Sequence, residues 1–150
     1  KDEDAGVSAS NRLRGIVLHD ILSQASNASD LKKAVDYAQM TGNLTADEAR
    51  TAFGLLTEAL KSVEDRGWFA DDVQLTYNEA SLIDTDGEIY RPDRVTVCGG
   101  KVVIVDYKFG EHQKKYEKQV RKYMDMWRRM GYEDVSGFLW YVDDLSVIEV

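Results

Sequence analysis

The chain has 150 residues, of which 43% are hydrophobic, with one cysteine and a formal net charge of −8. That length and apolar content support one domain with a real core, while the net acidity excludes a protein that coats nucleic acid by charge alone. A single cysteine, Cys98, excludes an internal disulfide and any cysteine-rich metal or iron–sulfur cluster, and suits a reducing cytoplasm. No apolar run reaches the length of a membrane helix and no signal-peptide pattern is present, so no membrane association is expected. The opening KDEDAGVSAS is highly polar and begins at Lys1. It reads as a linker remnant over residues 1–9, followed by one domain over residues 10–150 cut from a longer polypeptide.

A first helix is expected from Ser10 to Ala25, with Leu13, Ile16, Val17, Ile21 and Leu22 as its apolar stripe. Gly15 and His19 are four residues apart and share a face. A glycine inside a helix costs stability and usually lets something approach closely. Taken alone, His19 is more often structural than a ligand. A second helix is expected from Asp30 to Met40, capped by Ser29 and stopped at Gly42. A third starts at Thr45, where Thr45 and Glu48 form a capping box. It carries Ala49, Phe53, Leu56, Leu60 and Val63 toward the core and stops at Gly67.

Three strands then follow as an antiparallel meander. The first runs from Val73 to Asp84. If Thr85 to Gly87 form a three-residue loop with Gly87 left-handed, Glu79 falls opposite Asp93; a two-residue loop puts Glu79 on the other face. The second and third strands lie within Glu88 to Gly110 and are joined by the tight turn Gly99-Gly100. That turn sets Cys98 against Lys101, Asp93 against Asp106 and Arg91 against Lys108. Lys108 lies on the same face as Asp106, because side chains alternate along a strand. Directly opposed like charges destabilise a sheet, so two facing carboxylates in apolar strands point to a cation held between them. The adjacent lysine points to an anion handled at the same place, such as phosphate.

Pro92, the only proline, marks an edge or bulge in the second strand. The third strand, KVVIVDYK, is apolar on both faces until its charged end and is expected at the centre of the sheet, covered on both sides. A long helix follows from His112 to Met130, closed by Gly131. Tyr116, Val120, Tyr123, Met124 and Trp127 form its core stripe, and Gln119 and Tyr123 share a face. Strands from Val135 to Val142 and from Ser146 to Val150 complete an α/β domain with a mixed sheet and helices on both faces. Between Lys108 and Arg129 the chain places eight Lys or Arg and three Asp or Glu. Lys115, Lys118 and Lys122 are thereby candidate contacts to a DNA backbone.

Pro92-Asp93, twelve intervening residues and Asp106-Tyr107-Lys108 resemble the PD-(D/E)xK nuclease motif. Three flanking features narrow the resemblance: Gly15 with His19 and Leu22 on the helix before the sheet, Glu79 on the first strand, and Gln119 with Tyr123 on the helix after the motif. Together they are similar to the RecB-type nuclease domain at the C-terminus of bacterial helicase–nucleases that process double-strand breaks. The resemblance spans Leu13 to Val142 and implies a restriction-endonuclease-like core.

It further implies that Asp93, Asp106 and the carbonyl of Tyr107 hold Mg²⁺ or Mn²⁺, with His19 as an additional ligand and Glu79 helping to bind or orient the metal site. Lys108 would position the attacking water or stabilise charge on the phosphate. Gln119 and Tyr123 would orient the site or touch the DNA backbone. The partners implied are DNA ends, single- or double-stranded, the helicase domains of the same polypeptide and a partner subunit. Some relatives carry four cysteines for an iron–sulfur cluster; this chain resembles the cluster-free branch. Two rival readings stand beside a metal-dependent deoxyribonuclease, exonuclease ahead of endonuclease. One is a non-catalytic DNA-guiding or protein-docking module of a helicase; the other is a stand-alone exonuclease.

Overall fold

The computed structural model describes residues 14–70, 75–78, 81–83, 87 and 89–150. Helix α1 covers residues 14–24. Helices α2 (Asp30–Met40) and α3 (Ala46–Ser62) follow, then a 3-10 turn at Glu64–Arg66. The strands are β1 (Leu75–Asn78), β2 (Leu82–Ile83), β3 (Ile89–Tyr90), β4 (Arg94–Cys98) and β5 (Lys101–Lys108). Helix α4 (Lys114–Arg129) leads to β6 (Asp134–Tyr141) and β7 (Ser146–Glu149). The main sheet has the order β1-β4-β5-β6-β7, antiparallel except for the parallel pair β5–β6. That pair is the crossover through α4 that a parallel connection requires. This is the expected mixed α/β architecture.

Local signals hold in detail. Thr45 and Glu48 cap α3 reciprocally, the side chain of each accepting the other's backbone N–H. Gly99 and Gly100 both have positive φ, 58° and 78°, as a two-residue hairpin requires. The turn fixes Arg94↔Val105 through Cys98↔Lys101. The expected cap of α2 differs: Ser29 makes no side-chain cap bond, and Asn27 Oδ1 accepts the N–H of Asp30 instead.

The first two strands of the meander are each interrupted, at Ser81 and at Arg91–Asp93. They divide into β1 and β4, paired in the main sheet, and β2 and β3, paired as a separate two-stranded sheet. The register nevertheless runs on unchanged, from Leu75↔Val97 and Asn78↔Arg94 to Leu82↔Tyr90 and Ile83↔Ile89. On the returning strand the break falls at Arg91–Asp93. Proline has no N–H to give to a ladder, so Pro92 ends the pairing there. Arg91 consequently is not paired with Lys108 in the ladder; its Nε donates to Ser81 Oγ.

The sheet separates two cores. Leu18, Ile21, Leu22, Leu31, Leu56 and Trp68 pack with Val105, Tyr107 and Trp140 on the face carrying α1 to α3. Val95, Val97, Val102, Ile104 and Leu139 meet Val120, Tyr123, Met124 and Trp127 of α4 on the other face. Phe53, expected in the core, is instead 39% exposed. It lines an open apolar cavity of about 500 Å³ with Leu31, Leu60 and Phe69.

The crossover helix lies very close on β6. A Cβ on Gly137 would stand 2.5 Å from Met124 Sδ and 2.6 Å from Val120 Cγ1. Val120 is stiff and wholly buried, so it cannot swing away. Gly137→Ala is therefore expected to lose about 1–3 kcal/mol to overpacking, more than the roughly 0.4–1 kcal/mol returned by a stiffer unfolded chain. A lowered urea midpoint with unchanged slope is the result to look for.

Candidate active site

The β4–β5 hairpin brings the two motif carboxylates to one face. Continued by one residue, the register sets Asp93 against Asp106, and both are buried, 7% and 3% exposed. Asp93 stands just outside β4, at the break that Pro92 imposes. Released from the ladder, its carboxylate turns back and takes the backbone N–H of Tyr107 on Oδ2 at 2.7 Å. Its Oδ1 lies 2.8 Å from His19 Nε2. His19 thus reaches the site from α1, with Ser23 Oγ 3.4 Å from its Nδ1 and its ring edge-on to Tyr107 at 6.0 Å. Gly15, one turn earlier, does not mark the close approach expected of it: a Cβ there would make ordinary contact with Phe109 Cβ, at 3.5 Å.

The electrostatics divide the pair. Burial pushes the Asp93 carboxyl up, but hydrogen bonds from His19 and Asp106, the charge of His19 and the Tyr107 N–H outweigh it and hold Asp93 below its ordinary value. Asp106 is pushed up to about 7 by burial first, then by the charge of Asp93 and the hydrogen bond they share; Lys108 opposes this without cancelling it. Two buried carboxyls that share a proton near neutral pH carry a charge deficit that a cation can fill. Lys108 Nζ sits 2.8 Å from Asp106 Oδ2.

Helix α4 supplies the opposite wall. Gln119 Oε1 accepts from Lys108 Nζ at 3.3 Å, and the Tyr116 ring lies under the same ammonium with its centroid at 4.2 Å. Tyr123 is buried and stands edge-on to Tyr90 at 6.1 Å. Burial pushes its hydroxyl up first, joined by the charges of Asp106 and Asp93, while a hydrogen bond to Gln119 opposes them. Tyr123 therefore sits behind Gln119 rather than on the surface. Lys115, Lys118 and Lys122 are exposed along α4. Lys115 Nζ stands 5.4 Å from the Tyr116 ring and Lys122 Nζ 5.8 Å from the Tyr90 ring. Glu79 lies outside the described residues.

Among the described residues, no three His, Cys, Asp or Glu side chains converge in metal-ligating geometry. The donor set still fits a hard divalent cation: two facing carboxyl groups, one of them kept from ionising by burial and by its neighbour's charge, with a main-chain carbonyl at Tyr107 between Asp106 and Lys108. Cys98 is exposed at its turn and takes no part.

Sequence reasoning missed Arg94. It is wholly buried beside Asp93 and donates to the carbonyls of Trp68 at 3.0 Å and Ala25 at 2.8 Å, and to that of Ser26. Its guanidinium lies 4.1 Å from the Phe69 ring centroid. It ties β4 to the α1–α2 connection and to the segment after α3, on the sheet face opposite the carboxylates. A charged residue opening an apolar strand was the available signal.

No helix among the described residues is long and apolar enough to cross a membrane. The chain matches none of the curated proteins compared with it. The family model described as the PD-(D/E)XK nuclease superfamily matches residues 2–149, and with its motif carboxylates and lysine gathered at one end of the β4–β5 hairpin, the chain belongs to that superfamily.

Proposed function

We propose that this domain is a divalent-metal-dependent deoxyribonuclease of the RecB type. It would act as the exonucleolytic part of an ATP-dependent helicase–nuclease in double-strand-break processing. The observation that carries the reading is the buried Asp93–Asp106 pair with Lys108 2.8 Å from Asp106. Two buried carboxylates repel each other and cost stability unless positive charge compensates them, and oxygen donors suit hard cations such as Mg²⁺ or Mn²⁺. Asp93, Asp106 and the Tyr107 carbonyl would hold the ion, with His19 and Glu79 completing or orienting its surroundings. When bound, such an ion lowers the pKa of a water and polarises a phosphate oxygen.

The chain's own side chains carry the remaining tasks. The Lys108 ammonium would stabilise charge accumulating on a phosphate, or align a water. Gln119 holds that ammonium from α4, and Tyr123 backs Gln119. Lys115, Lys118 and Lys122 would neutralise backbone phosphates without reading sequence. Since the domain is acidic overall, helicase segments of the same polypeptide would supply most of the affinity for DNA.

The test is cleavage of linear and circular DNA, single- and double-stranded, with Mg²⁺ or Mn²⁺. Wild type is expected to cut, EDTA to stop it, and Lys108→Ala to slow it by about 10²–10³-fold. Undiminished cutting by Lys108→Ala overturns the reading. Linear DNA cut while circles survive marks an exonuclease.

A further inference from the structure

Lysine 108 carries four rotatable side-chain bonds, and an ammonium at the end of such a stem is not held by one ion pair alone. Here it is enclosed on three sides. Asp106 Oδ2 is 2.8 Å away, Gln119 Oε1 3.3 Å away, and the Tyr116 ring centroid 4.2 Å away. Tyr116 belongs to the first turn of α4, where its N–H bonds to the carbonyl of Gln113 at 3.1 Å. It is half-buried and packs against the core on that face of the sheet. Its ring is therefore packed against that core as well as against the lysine.

The Asp106 carboxylate is also the group that a cation at this site would draw on, so it cannot be the lysine's sole anchor. The two partners on α4 carry no net charge, so a metal draws on them far less than on a carboxylate. A ring face attracts an ammonium through its quadrupole, most strongly where water is partly excluded.

We infer that Tyr116 is a positioning residue for Lys108: its ring face, together with Gln119, holds the ammonium at the site. The inference rests on the nuclease reading for its catalytic meaning, and on geometry alone for the contact itself. It assigns work to the ring and none to the hydroxyl, so Tyr116→Phe should behave as wild type and Tyr116→Leu, which keeps apolar bulk, should not.

Two measurements test it. In metal-free protein labelled with ¹³C-lysine, the Lys108 ε-methylene, assigned by its disappearance in Lys108→Arg, is expected at an upfield, ring-shifted position. Tyr116→Phe should keep that position and Tyr116→Leu should move it to the ordinary lysine region. In cleavage assays with Mg²⁺ or Mn²⁺, Tyr116→Leu is expected to lower kcat about tenfold with little change in KM, and Tyr116→Phe to restore it. An ordinary lysine shift in wild type, or a ring-shifted one in Tyr116→Leu, overturns the contact. A raised KM with unchanged kcat overturns the positioning role and makes Tyr116 a DNA contact. Wild type that cuts nothing defeats the nuclease reading, while the methylene shift still decides the contact.

Discussion

Asp106→Asn is expected to abolish metal binding and cleavage while making the metal-free domain more stable. The two effects share one cause. Burial and the charge of Asp93 raise the Asp106 carboxyl from its ordinary 3.8 to about 7. Between those values the folded protein holds a proton that the unfolded chain has released. Stability therefore falls as pH rises through that window, because the unfolded state binds fewer protons than the native one. A shift of about three pKa units amounts to on the order of 4 kcal/mol once the window has been crossed. Asparagine keeps the shape and lacks the charge, so the variant escapes that loss.

Urea unfolding with EDTA present should show Asp106→Asn ahead of wild type by several kcal/mol at about pH 8. The gap should shrink toward nothing at about pH 4. Calorimetric titration with Mg²⁺ or Mn²⁺ should show heat for wild type and none for the variant, and cleavage should fall by at least about 10³-fold. A variant that binds metal as wild type does, or that is less stable at every pH, contradicts this account.

Arg94→Met should produce the largest loss of stability of any single substitution considered. Replacing a buried ion and its charged partner together by apolar groups can be neutral, but here only the donor would be removed. The carbonyls of Trp68, Ala25 and Ser26 would remain, the first two buried, all short of the partner they now have. Orphaned acceptors cost about 1–3 kcal/mol each before any relaxation. An overall loss of about 3–5 kcal/mol is expected, which for a domain of this size lowers Tm by roughly 10 °C. Arg94→Lys should recover only part of it, because one ammonium cannot reproduce the guanidinium fork. A Tm within about 2 °C of wild type for Arg94→Met would show that the three carbonyls find other donors. Since Asp93 precedes Arg94 in the chain, cleavage should decline along with the melting transition rather than independently of it.

What the chain determined by itself is local and periodic. Gly99-Gly100 demands positive φ twice and so sets the hairpin register, which in turn faces Asp93 toward Asp106. Thr45 with Glu48 marks the start of α3. The run KVVIVDYK, apolar on both faces, declares a central strand. The triplet Asp106-Tyr107-Lys108 places two of its charges on one face because strand side chains alternate. These inferences depend on neighbours a few residues apart, whose geometry backbone stereochemistry dictates. Pro92 announced a break, but not that Asp93 would swing back to cap the Tyr107 N–H. That His19 on α1 would stand 2.8 Å from Asp93 followed from no register or periodicity, only from the family resemblance. Nor did anything in the stripe Tyr116, Val120, Tyr123 distinguish the ring that meets a lysine from those that only fill the core. Arg94 looked like any strand-end charge until the fold buried it against three carbonyls from distant segments. Such contacts join residues on separate elements, so only the packing of helices onto the two faces of the sheet could decide which side chain met which partner, and with how much water excluded.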